Sequence, residues 1–260
     1  MITSASNDKI KYLKLLLSKR KQREADRVFV CEGIKLYEEL LRDCPDRIVS
    51  VYASESYYNG LSGDEKSRMF GGKNFETVKD SVFDGVAETV TPQGVLCVAR
   101  CPVYNAESIL AVPGPLRVLF LEDLRDPGNM GTVLRTAEGA GMNLVIAGGD
   151  CVDIFNPKVV RATMGSIFRV PFVTANDTAS MIKLLNKHKI TSYAAYLTGS
   201  ESFERVNYEK RAAFLIGNEA NGLKAETALA CDHRIRIPMS GKLESLNAAV
   251  AAAVIMYNAR

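Results

Sequence analysis

The 260 residues predict an α/β protein: a larger unit built on a mostly parallel sheet with helices on both faces, preceded by a smaller α/β unit. Three observations carry that prediction. From Leu116 onward, short apolar runs alternate with amphipathic segments, the pattern of a covered parallel sheet. Shorter alternations of the same kind fill the first hundred residues. Between the two lies NAESILAVPGP, Asn105 to Pro115, whose two prolines and glycine suit a linker. Units at 1–104 and 116–260 are therefore expected, with 105–115 joining them.

In order, Asn7 to Ser18 reads as a helix with Ile10, Leu13 and Leu17 on one side. Val28 to Cys31, Ile48 to Ala53 and Val95 to Cys101 read as strands, and Ile34 to Leu41 as a helix. After the linker, Val118–Leu121 is an apolar strand ended by the turn residues Asp126-Pro127-Gly128-Asn129. Met130, Val133, Leu134, Ala137 and Gly141 then recur at helical spacing. Arg135 lies off that stripe, and the lean of helical side chains aims it back toward Asn129 and Gly131. Leu144–Ala147 is the next strand, followed by a helix near Lys158–Ser166, strand Arg169–Val173 and helix Ala179–His188. Strands Thr191–Leu197, Ala212–Ile216 and Arg234–Ile237 follow, and a last helix begins at Ser245. From Ala248 to Met256 that helix has no polar residue, so it must be covered all round, by its own sheet and by either the rest of its chain or a second subunit.

Composition bounds the rest. A hydrophobic content of 47% is ample for packed cores, and the net charge of +3 gives little whole-chain support for nucleic-acid binding. Local clusters must supply it. Between Lys9 and Arg27 stand eight basic residues (Lys9, Lys11, Lys14, Lys19, Arg20, Lys21, Arg23, Arg27) against Glu24 and Asp26. Such a segment is either a solvated face or a phosphate-contacting one. Lys158 and Arg161, three apart on a helix, could likewise share a phosphate. The six cysteines form no C-x-x-C pair and read as reduced thiols of an intracellular protein. Neither a signal peptide nor an apolar segment approaching the ~18 residues of a membrane span is present, so a soluble cytoplasmic protein is expected. No G-x-G-x-x-G, no G-x-x-x-x-G-K-[ST] and no histidine pair at metal-ligand spacing occurs, which argues against dinucleotide, P-loop and zinc chemistry.

Three stretches carry a family resemblance. LRVLFLEDLRDPGNMGTVLRTAEGAGMNLVI (Leu116–Ile146), LIGNEANGL (Leu215–Leu223) and IPMSGKLESLNAAVAAAVIMY (Ile237–Tyr257) resemble, in order, the motifs of the SpoU/TrmH family of RNA ribose 2'-O-methyltransferases in the SPOUT superfamily. The segment ADRVFVCEGIKLYEELL resembles the opening of the L30e/L7Ae-like RNA-binding domain that often precedes that catalytic domain. The resemblance implies a trefoil-knot fold, a homodimer formed through the last helix, and S-adenosylmethionine as methyl donor to an RNA, ribosomal RNA before transfer RNA. It places Asn129, Arg135, Glu219, Ser245 and Asn247 in the active site, and Leu197, Gly217, Asn218, Ile237 and Leu246 against the cofactor. From the residues alone, Ser245 equally suits a helix N-cap, Asn129 a turn, and Gly217 a close approach of backbone to a ligand. Lys19, Arg20, Lys21, Arg23, Lys158 and Arg161 are the candidate RNA contacts. A guanidinium stays protonated, so Arg135 suits a phosphate clamp and a stabiliser of developing negative charge better than a base. A fold-retaining, non-catalytic RNA-binding protein is the alternative.

Overall fold

The computed structural model describes residues 1–259 and separates them into two compact units. The first comprises Met1–Pro102 together with Asp153–Phe168, and the second Val103–Val152 with Arg169 onward.

The first unit runs α1 (Asp8–Ser18), α2 (Arg20–Asp26), β1 (Val28–Glu32), α3 (Ile34–Asp43), β2 (Ile48–Ser54), α4 (Glu55–Gly60), α5 (Gly63–Phe70), β3 (Phe75–Val78), α6 (Asp80–Asp84) and β4 (Val95–Arg100). Its sheet has the order β1-β4-β2-β3, antiparallel except for the β2–β3 pair. Ile10, Leu13, Leu16 and Leu17 of α1 pack on Val28, Val30, Leu96 and Val98, which is why α1 shows a one-sided apolar pattern. The excursion 153–168 lies outside the span from which this unit was expected to be built. Phe155 and Phe168 set their rings against Phe29, which buries aromatic area that would otherwise be wet.

The second unit continues with α7 (Ala106–Leu110), β5 (Leu116–Glu122), α8 (Pro127–Ala140), β6 (Leu144–Gly148), β7 (Phe172–Ala175), α10 (Thr178–Lys187), β8 (Thr191–Ala195), β9 (Glu201–Ser202), β10 (Arg211–Ile216), α11 (Ala225–Ala230), β11 (His233–Arg236) and α12 (Ala248–Asn258); α9 (Pro157–Ala162) sits in the excursion. Its seven-stranded sheet has the order β7-β6-β5-β10-β8-β11-β9, and every neighbouring pair is parallel. The mostly parallel sheet anticipated from the strand–helix alternation is present, and parallel strands buried on both faces account for the near-continuous apolar runs of β5 and β10.

Several boundaries move for local reasons. The expected linker is partly helical: Leu110 of α7 is wholly buried in the sheet's core with Ala106 and Ile109 against it, and Arg211 donates to the carbonyls of Leu110, Val112 and Gly114. Pro171 delays the strand expected at Arg169 until Phe172. The last helix begins three residues later than expected. Asn247, rather than Ser245, is its N-cap and accepts from the amides of Ala249 and Val250. Helix α8 behaves as its spacing demands: Met130, Val133, Leu134 and Ala137 are buried, and Gly141 ends it in the left-handed conformation.

Candidate functional site

Strands β8, β10 and β11 are parallel neighbours, so their C-terminal ends open on one side of the sheet, where ligands of open α/β sheets bind. A cavity of about 430 Å³ lies there, lined by the segments 195–198, 216–223 and 235–237, by Met239, by 244–246, and by Ala248 and Ala251 of α12. Its volume falls within the ~300–1,000 Å³ of small-molecule sites. Leu197, Gly217, Asn218, Ile237 and Leu246 all line it, as do Glu219 and Ser245. Ile216, Leu223, Ile235 and Ile237 supply apolar walls, while the irregular chain after Arg236 leaves backbone polar groups outside any ladder.

The loop after β10 is closed on itself. Asn218 and Gly222 exchange both backbone hydrogen bonds, at 3.1 and 2.9 Å, and the Asn218 side-chain oxygen accepts from the Ala220 and Asn221 amides. Gly222 sits at φ 67°, a conformation that favours glycine. Gly217 is glycine for a different reason than ligand approach: a Cβ there would lie 2.0 Å from the Gly222 carbonyl carbon. The chain's own turn occupies that space.

The end of β5 anchors this loop. Glu122, almost fully buried, accepts from the Lys224 amide at 2.9 Å and the Thr227 hydroxyl at 2.6 Å. The Asp123 carbonyl accepts from the Asn218 side-chain amide at 2.7 Å, and the Asp123 carboxylate pairs with Lys224 at 3.0 Å. Burial works against ionisation of Asp123, but the Asp150 amide and the Lys224 ammonium outweigh it and hold this carboxyl below its ordinary range. Sequence reasoning missed Glu122, Asp123, Lys224 and Thr227. The available signal was two adjacent acids ending an apolar strand, an expensive place for charge unless it is partnered.

A chain of side-chain amides crosses three segments. The Asn247 oxygen is engaged by the cap of α12, so its Nδ2 faces the Asn129 oxygen, to which it donates at 3.0 Å. The Asn129 nitrogen then donates to Glu219 Oε1 at 2.9 Å, and Asn218 donates to Glu219 Oε2 at 3.3 Å. Each amide's orientation is thus dictated by the one before it. Asn129 is itself set by Asp126, the N-cap of α8, which accepts its backbone N–H at 2.7 Å. Arg135 is not part of this chain. It is exposed on α8, does not line the cavity, and makes no hydrogen bond or ion pair among the described residues.

Among the candidate RNA contacts, Lys19, Lys21 and Lys158 are exposed, and Arg20 is exposed but pairs with Glu24 at 2.7 Å. Arg23 must be withdrawn. Its side chain is only 5% exposed, it pairs with Asp153 at 2.6 Å and donates to the carbonyls of Leu16 and Leu17. A phosphate could reach it only by displacing the half-buried Asp153 carboxylate. Arg161 is similarly committed, 3.2 Å from Glu32, whose carboxylate also takes the amides of Glu88 and Thr89.

A parallel α/β sheet with a strand-end cavity and a carboxylate held by two asparagine side chains defines a small-molecule-binding α/β protein, and this chain belongs to the SpoU rRNA Methylase family, whose model matches residues 116–257. The MRM3-like substrate binding domain matches residues 7–97. Over 259 residues the chain is 32% identical to the 23S rRNA (guanosine(2553)-2'-O)-methyltransferase RlmP of Bacillus subtilis, covering 100% of this chain and 98% of that one. A 23S rRNA (guanosine-2'-O-)-methyltransferase RlmB of Bordetella pertussis is 31% identical, over 88% of this chain and 95% of its own. The AdoMet-bound rRNA methyltransferase from Sinorhizobium meliloti superposes with a TM-score of 0.85 at 30% identity, covering 100% of this chain and 96% of that one.

Proposed function

We propose that this protein transfers the methyl group of S-adenosylmethionine to a ribose 2'-hydroxyl of RNA, with ribosomal RNA as the substrate class. The observation that carries the proposal is the single cavity lined by Leu197, Gly217, Asn218, Ile237 and Leu246, which three separated strand ends bring together. The activities named for the RlmP and RlmB relatives and the AdoMet-bound structure support it. The residues present fit the cofactor: apolar side chains for a nucleoside, unladdered backbone for its base edges, and charged side chains for its ionic groups. When bound, it supplies an electrophilic methyl on a sulfonium.

The remaining work falls to the chain's own side chains. Asn129, Glu219 and Asn247 form one hydrogen-bonded unit beside Ser245 that orients the ribose. Arg135 clamps the neighbouring phosphate and stabilises the alkoxide as the 2'-hydroxyl loses its proton to phosphate or water. Because Arg135 lies outside the cavity of its own chain, it serves the cavity of a second copy. The dimer this requires has a surface ready: Val250, 48% exposed, and the half-buried Val254 lie on a side of α12 that its own chain covers incompletely.

The Arg135→Ala variant should lose methyl transfer to RNA by at least ~100-fold while its affinity for S-adenosylmethionine stays within about twofold. Transfer at the wild-type rate would remove Arg135 from the mechanism. Failure of the wild-type protein to bind the cofactor by calorimetry would end the proposal as a whole.

A further inference from the structure

Three side chains lining the cavity carry charge: Glu219, Arg236 and Glu244. Glu219 is engaged by Asn129 and Asn218. The other two are not neutralised. Arg236 makes no ion pair among the described residues, and Glu244 makes neither an ion pair nor a hydrogen bond there. Arg236 is the last residue of β11, opposite Ser202 of β9, and its Nη1 donates to the carbonyl and hydroxyl of Ser200. That contact fixes the guanidinium at the cavity wall and leaves its Nε–H and Nη2 donors without a partner among the described residues. Glu244 comes from the irregular stretch ahead of α12. One cation and one anion, both solvent-exposed and neither in an ion pair among the described residues, thus stand at the rim of a cavity whose other walls are largely apolar or main-chain.

On the cofactor reading above, the ligand's charges are a sulfonium and, at the far end of the molecule, a zwitterionic α-amino acid. We propose that Arg236 and Glu244 recognise that amino-acid end, Arg236 taking the carboxylate and Glu244 the ammonium. The apolar walls Ile216, Leu223, Ile235 and Ile237 suit the uncharged nucleoside and cannot solvate either ion. Arg236 is the only basic side chain in the lining, so a carboxylate entering the cavity has one charged partner. The pair therefore sets the direction in which the ligand lies, and Glu219, held by Asn129 and Asn218, is not needed for the amino-acid end.

Two ligands separate this role from a structural one. S-adenosylhomocysteine carries both charges of the amino-acid end, and 5'-methylthioadenosine keeps the nucleoside and thioether but has neither. Calorimetry on the full-length protein should find S-adenosylhomocysteine bound more tightly by wild type, with that advantage shrinking as salt is added. Arg236→Ala should weaken S-adenosylhomocysteine at least about 5-fold and leave 5'-methylthioadenosine within about twofold. Glu244→Gln should act in the same direction, and Arg236→Lys should restore part of the loss. Equal losses for both ligands in Arg236→Ala, or equal affinities of wild type for the two, would overturn the assignment while leaving the cofactor reading standing. Wild type binding neither ligand would overturn both.

Discussion

Gly217 illustrates how a single position serves the site without touching the chemistry. Because its missing Cβ is filled by the Gly222–Leu223 main chain, any side chain must push the loop open. Gly217→Ala should cost on the order of 1–3 kcal/mol in urea denaturation and should weaken cofactor binding with it, since the same loop walls the cavity. An alanine variant of wild-type stability and affinity would mean that the loop has slack the packing does not suggest. Arg23 is the converse case, a cation whose sequence context resembles a phosphate contact but whose work is internal. Removing it strands Asp153, so Arg23→Ala should destabilise the protein by about 3–5 kcal/mol, whereas Lys21→Ala, fully at the surface, should shift RNA affinity and little else. Denaturation and a filter-binding titration, run on both variants, would expose an exchange of those roles.

At the scale of elements, the site depends on how β5 holds the loop that follows its neighbour β10. Two consecutive acids share that anchoring. Glu122 inside the fold receives Lys224 and Thr227, and Asp123 at the edge receives Asn218 through its carbonyl and Lys224 through its carboxylate. The Asp123 carboxyl lies below its ordinary value in the fold, so the stability it contributes is present above the unfolded value of ~4 and is lost as pH falls through the lower, folded one. Asp123→Asn should lower stability at neutral pH and flatten the acid limb of a stability–pH profile below pH ~4, where the wild-type contribution is already being lost. An unaltered acid limb would assign the titration to other carboxylates. Asn218 could be picked out from its motif, whereas for Glu122 the sequence signalled only that a strand-end acid needs a partner, and that partner lies about a hundred residues away.

For the whole molecule, the proposed dimer turns on α12. Its apolar sequence required cover on every side, and one chain supplies it for Ala248, Ala249, Ala252, Ile255 and Met256 only. Val250 and Val254 remain for a second subunit in the dimer proposed here. Val254→Glu should convert a sedimenting dimer to monomer and abolish methyl transfer, because Arg135 would then have no cavity to serve. Monomeric wild-type protein with full activity would refute the shared site.

Periodicity and composition were enough to specify the strand–helix alternation, the buried stripe of α8 and the parallel character of the second sheet, since each depends on residues close together in the chain. The three motifs, in order, were enough to indicate the family and the residues around the cavity. Tertiary structure alone decided that Arg23 and Arg161 are occupied by Asp153 and Glu32, that Asn247 rather than Ser245 caps the last helix, and that the expected linker helps fill a core. For the two arginines, the linker and the Asn247–Asn129 contact the reason is common: whether a charge is spent or a side chain is packed depends on groups brought close by folding, and sequence separation carries no record of that distance.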